Sequence, residues 1–174
     1  MKTIVGFLAL CIFLHADQPR LVAQAPSQLV VSTSDQKVHL AFTLDGDSKK
    51  ELAQSLAECK PVEVRYIAEL RKERMLWPDL SFARTIVRNR VVCDEKSPSR
   101  MLSRVVDGSI VASATKMDQV AVLAFMSETG DISAFQDIKF PRHRYSVAIK
   151  SILVTSRDDE FRTGVLAQTR FDIR

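Results

Sequence analysis

The chain has 174 residues, 46% of them hydrophobic and 26% charged, with a formal net charge of +4. That is enough apolar material for one domain with a core of its own, so neither a metal nor a framework of disulfides is needed to hold it together. The basic surplus is spread along the chain and accompanies no finger, helix-turn-helix or ribonucleoprotein motif, which argues against a nucleic-acid module.

The first residues differ from the rest. Lys2 gives a positive start, residues 4–14 form an almost unbroken apolar run, and Ala23, Gln24 and Ala25 supply small residues around a cleavage point. The expectation is an export signal over residues 1–25 and a single globular domain over 26–174. The run is too short for the roughly twenty residues a membrane-spanning helix needs. Cleavage after Ala16 is an alternative, because Pro26 follows Ala25 directly, and an uncleaved N-terminal anchor is another. Lipid attachment at Cys11 would need a small residue where Leu10 stands. A periplasmic or secreted location follows, and it leaves Cys59 and Cys93 as the cysteines of the exported chain, in a setting where disulfides persist.

In chain order, Leu29–Ser34 and residues 38–44 alternate as strands joined by a polar bend, and Asp45, Gly46 and Asp47 close the pair. Ser48 with Glu51 reads as a capping box for a helix over residues 49–59, with Leu52, Leu56 and Cys59 on one face and Pro61 as its stop. From Val62 the period becomes two. Val62, Val64, Tyr66, Ala68 and Leu70 point one way, and Glu63, Arg65, Ile67, Glu69 and Arg71 the other. Residues 71–79, RKERMLWPD, break this strand. A second strand should return antiparallel, with Ala83, Thr85, Val87, Asn89, Val91 and Cys93 on its milder face, opposite Phe82, Arg84, Ile86, Arg88, Arg90 and Val92.

If the two strands pair, Cys93 comes back beside the point where the helix delivers Cys59, and a Cys59–Cys93 disulfide is predicted; the alternative is two buried thiols. A polar loop follows over residues 96–99, then a strand over 101–106. A second helix after Thr115, with Asp118 completing a rough cap and Gly130 ending it, would place Met117, Val120, Ala121 and Ala124 on one face, although residues 120–126 also suit a buried strand. Residues 145–156 and 161–173 read as two closing strands across an acidic turn at Asp158, Asp159 and Glu160. The fold class expected is α+β, mostly antiparallel β, a sandwich or strongly curved sheet with one or two helices on its apolar face.

Catalytic signals are absent from the pattern: there is no glycine-flanked serine elbow, zinc helix or phosphate-cradling glycine loop. His39 and His143 have no partner at metal-ligand spacing, and the acidic turn lacks the alternating ligands of a calcium loop. No cofactor and no metal are expected. The outward face of the central hairpin carries Arg65, Arg71, Arg84, Arg88 and Arg90, and Arg74 and Trp77 sit at its tip. Arginine forks with apolar side chains between them suit an anionic, partly apolar partner. The plainer reading has Glu63 and Glu69 pairing with arginines across the hairpin, and Trp77 folding back onto the edge of the core.

The stretch from HLAFTLDGDSKKELAQSL through PVEVRYIAELRKERMLWPD to FARTIVRNRVV resembles an uncharacterised bacterial exported family, domain of unknown function 4390. Trp77 and the Arg84, Arg88 and Arg90 series match best. The resemblance implies an extracytoplasmic, mostly β domain without established catalytic residues. Family members are often encoded beside a membrane sensor kinase, which implies an envelope partner. The expected function is therefore a non-enzymatic interaction or ligand-binding module of the envelope that meets an acidic protein or an anionic lipid surface. The alternatives are a carrier of an apolar ligand between helix and sheet, or an enzyme whose site no motif reveals.

Overall fold

The change to period two after Pro61 is realised as a long hairpin, because alternation lets one face of each strand be buried while the other stays wet. The computed structural model describes residues 29–34, 37–59, 61–93, 99–116, 118–135, 140–155 and 162–173. The expected leader, most of the loop expected over 96–99, Met117 and the acidic turn at Asp158, Asp159 and Glu160 lie outside the described residues.

The described residues form β1 (Leu29–Ser34), β2 (Lys37–Phe42), α1 (Gly46–Ala57), β3 (Val62–Lys72), β4 (Leu80–Cys93), β5 (Arg100–Val106), β6 (Ser109–Lys116), α2 (Gln119–Ser127), β7 (Ile132–Ala134), β8 (His143–Thr155) and β9 (Arg162–Ile173). A six-stranded sheet runs β6-β5-β4-β3-β8-β9 and a three-stranded sheet runs β1-β2-β7. Every pairing is antiparallel. The fold is α+β and mostly antiparallel β, as the sequence predicts. One hydrophobic cluster joins Tyr66, Leu70, Val87, Leu102 and Val147 of the large sheet to Leu40 and Phe42 of β2, Leu52 and Leu56 of α1, and Val122 and Met126 of α2.

Several expectations are corrected. Helix α1 starts earlier than residue 49, because Asp45, in an extended conformation, is the cap: its Oδ1 accepts from the Ser48 amide at 2.8 Å and its Oδ2 from the Ser48 hydroxyl at 2.9 Å. Cys59 lies beyond the helix in a left-handed conformation (φ 48) and is exposed, not on a buried helical face. Residues 119–127 are helical, with Asp118 accepting from the Val120 and Ala121 amides at 3.2 and 3.1 Å. The buried side of α2 is Val122 and Met126, and Val120 is exposed. Phe82 does not join the outward face. The β3–β4 register slips between Leu70 and Arg71, and Phe82 turns inward to pack beside Phe140 and Tyr145. Strands β6 and β7 were not expected at all.

The carbonyl end of α2 joins these layers. A helix leaves its last carbonyls without helical partners, and burial makes that costly unless donors reach them. Three side chains on the inner face of the large sheet do so. Tyr66 Oη donates to the Met126 carbonyl at 2.6 Å, and Asn89 Nδ2 donates to Phe125 O at 3.2 Å and Met126 O at 3.1 Å. Arg104 donates to the carbonyls of Phe125, Glu128 and Thr129, orders Asn89 through its Oδ1 at 2.8 Å, and lies 4.7 Å over the Phe125 ring. Its positive charge also meets the negative end of the helix dipole. Burial draws the Arg104 pKa down and pushes the Tyr66 phenol well above its ordinary range.

Just past the helix, β2 is tied to the same turn: Leu44 N donates to Ser127 O at 3.0 Å, Thr129 N to Phe42 O at 3.1 Å, and Phe42 N to Thr129 Oγ1 at 3.1 Å. Arg104→Met leaves several carbonyls without a donor and should cost about 2–4 kcal/mol, whereas Tyr66→Phe, where Asn89 still serves Met126, should cost about 1 kcal/mol. Urea unfolding of the two variants checks this order. Equal losses, or an Arg104→Met loss below about 0.5 kcal/mol, the range of ordinary surface substitutions, would contradict it.

Candidate functional site

The antiparallel return of β4 along β3 fixes which side chains share the solvent face. Glu63 stands opposite Arg90, Arg65 opposite Arg88, Ile67 opposite Ile86 and Glu69 opposite Arg84. Arg65, Arg71, Arg84, Arg88 and Arg90 therefore lie on one face, and β8 adds Lys150 beside Ile67. The carboxylates do not pair across the hairpin as expected. Glu63 Oε1 lies 2.7 Å from Arg65 Nη2, and Glu69 Oε2 lies 2.9 Å from Arg71 Nη2, both along β3 itself. Residues two apart in a strand point the same way, so these pairs form without help from β4.

Arg84, Arg88 and Arg90 are consequently exposed, and no salt bridge engages them among the described residues. Arg65 facing Arg88 is a like-charge cross-strand pair, which a purely structural surface avoids. The hydrogen bond from Arg71 first, then the charges of Lys150, Arg71 and Arg84, hold the Glu69 carboxyl below its ordinary value. Its small contribution to stability is thus present above the unfolded carboxylate pKa and is lost as pH falls through the lower folded value.

At the hairpin tip the plainer reading is overturned. Trp77 does not fold back onto the core: it is 73% exposed, Leu76 is 87% exposed and Met75 is fully exposed at 100%. Pro78 denies the turn a ladder hydrogen bond, and the bend is closed instead by the Arg74 amide reaching Asp79 Oδ1 at 3.4 Å. The indole is carried away from the body on this bend, and Leu80 beside it is also exposed. Arg74 is exposed at the same tip.

Other segments bring further cations to the base of the tip. Lys72 pairs with Tyr145 in the ladder, and the Glu73 amide donates to Arg144 O at 3.1 Å, so the exposed Arg142, His143 and Arg144 lie at that end of the sheet. Arg170 of β9 reaches the Glu73 carboxylate with Nε at 2.8 Å, and Arg144 Nε lies 3.3 Å from Asp172 Oδ1. The basic cluster at residues 142–144 is visible in the sequence, yet only the strand order β3-β8-β9 places it beside Lys72 and Glu73, at the base of the tip.

The two cysteines are thiols, Cys59 exposed and Cys93 half-buried. They lie near each other: burial, followed by the hydrogen bond and charge of Cys59, pushes the Cys93 thiol up, while Arg100 opposes the shift. His39 does gain a carboxylate that its sequence neighbours do not provide, with Nδ1 3.4 Å from Asp131 Oδ1. Among the described residues no three His, Cys, Asp or Glu side chains gather where a metal ion could be held, and no helix is long and apolar enough to cross a membrane. The chain matches no protein-family model, no curated protein and no solved structure. With Trp77 solvated, Trp77→Ser should change unfolding free energy by less than about 0.5 kcal/mol, against the roughly 3–5 kcal/mol of a buried tryptophan. Urea titration decides between the two values.

Proposed function

We propose that the chain is an exported, non-enzymatic interaction module of the bacterial envelope, docking on an anionic partner through the tip of the β3–β4 hairpin and the arginine face behind it. The observation that carries this reading is the exposure of Trp77 together with Met75 and Leu76. Three large apolar side chains held clear of the core cost solubility and return nothing to stability, and tryptophan with arginine is the pairing most enriched where binding energy concentrates. Arg84, Arg88 and Arg90 support it, since free guanidinium groups draw in carboxylates or phosphates and speed the encounter.

The compartment belongs to the same reading. Lys2, the apolar run at residues 4–14 and the small residues at 23–25 support export to the periplasm or beyond. The likeness to the exported family adds a membrane sensor kinase as one candidate partner. In that oxidising setting Cys59 and Cys93 would be joined, stabilising the fold by about 3–4 kcal/mol in the chain-entropy picture. Diagonal non-reducing electrophoresis of the exported chain should show an intramolecular bridge, and two free thiols there would remove it.

The docking reading is tested by a photo-activatable residue in place of Leu76, illuminated in intact cells. An adduct with an envelope component is expected, reduced severalfold when Arg84, Arg88 and Arg90 are all changed to Glu. No adduct at position 76 would overturn the reading.

A further inference from the structure

The shape of the tip restricts what can receive it. Met75, Leu76 and Trp77 follow one another on a single bend, each at least 73% exposed, and form a small apolar prow between the ends of β3 and β4. A protein partner of ordinary affinity needs roughly 800 Å² of polar and apolar surface from each side with matched relief, more than the three side chains at the tip present by themselves. A bilayer asks for no matched relief. Its acyl boundary accepts any small apolar wedge, and tryptophan favours that depth because its ring is apolar and its N–H can still meet water or headgroups.

The cations gather at the base of the prow. Arg74 comes from the tip, Lys72 from the end of β3, and Arg142 and Arg144 from the start of β8, so three segments bring positive charge to the β8 side of the apolar residues. Of the nearby carboxylates, Glu73 is engaged by Arg170 and Asp172 by Arg144, while Asp79 accepts from the Arg74 amide. A basic cluster of this kind attracts a negatively charged leaflet before contact and meets its phosphates afterwards.

We infer that the partner of this tip is the headgroup and upper acyl region of a bilayer containing anionic lipid, entered by Met75, Leu76 and Trp77 while Arg74, Arg142 and Arg144 bind the lipid phosphates. The inference rests on the hairpin tip being the docking surface proposed above. It adds what that surface meets.

Trp77 is the only tryptophan in the chain, so its fluorescence reports the tip alone. Attachment through residues 4–14 would not imitate that signal. The full chain is mixed with vesicles of phosphatidylcholine, or of phosphatidylcholine with phosphatidylglycerol. Emission should shift to the blue and be quenched by lipids brominated high on the acyl chain only when phosphatidylglycerol is present. Leu76→Asp should abolish the shift. Reversing Arg74, Arg142 and Arg144 to Glu should raise the lipid needed for half-saturation by more than about tenfold, given roughly fivefold per cation near an anionic surface.

Unchanged emission and no quenching with phosphatidylglycerol vesicles would overturn the lipid assignment. Should position 76 then still yield a protein adduct in cells, the docking reading stands with a protein partner. If neither vesicles nor cells register the tip, the docking reading falls too.

Discussion

The grip of Tyr66, Asn89 and Arg104 on the carbonyl end of α2 is the constraint on which the arrangement depends. It links β3, β4 and β5 to a helix only nine residues long, which has little stability of its own. The residue after that helix, Glu128, bridges to Thr43, and Thr129 bonds to Phe42, so the small sheet is held by the same turn. Removing the donors would leave buried carbonyls unmatched, a cost that apolar packing of Val122 and Met126 alone does not offset.

That one-sided anchoring explains why the other face of the large sheet carries no covering layer among the described residues. Both helices and the small sheet lie on the inner face, so the outer face keeps its arginines and the hairpin is free to project. The ion pairs within β3 occupy Glu63 and Glu69 locally and leave Arg84, Arg88 and Arg90 without a salt bridge among the described residues. The paired strands β3 and β4 end in a short bend that carries Trp77 without covering it, which in the proposed docking would lower the entropy lost.

The hairpin was legible because period-two alternation over eleven residues in β3 and fourteen in β4 admits one register that buries Val62, Val64, Tyr66 and Leu70 together. No comparable signal marks β6, whose Ser109, Ala112, Ser113 and Ala114 are too small and mild to declare a face, or β7, which has three residues. Phe82 was misplaced because a bulge shifts parity by one, and bulges follow from local twist instead of hydrophobic pattern. Asp45 was passed over as a cap because Ser48 and Glu51 offered a fuller box. The gathering of Arg142 and Arg144 beside Lys72 depends on which strands become neighbours, information held in long-range packing. Whether Trp77 turns inward or outward was equally beyond reach of local pattern.

Native-state hydrogen exchange tests the central claim most directly, because it resolves the free energy at which each amide opens. If the carbonyl end of α2 binds the layers into one unit, the amides of the last turn of α2 exchange at the same free energy as those of Tyr66 and Ala68 in β3. Exchange of α2 at a free energy several kcal/mol below that of β3 would show the helix opening independently, and would contradict the account.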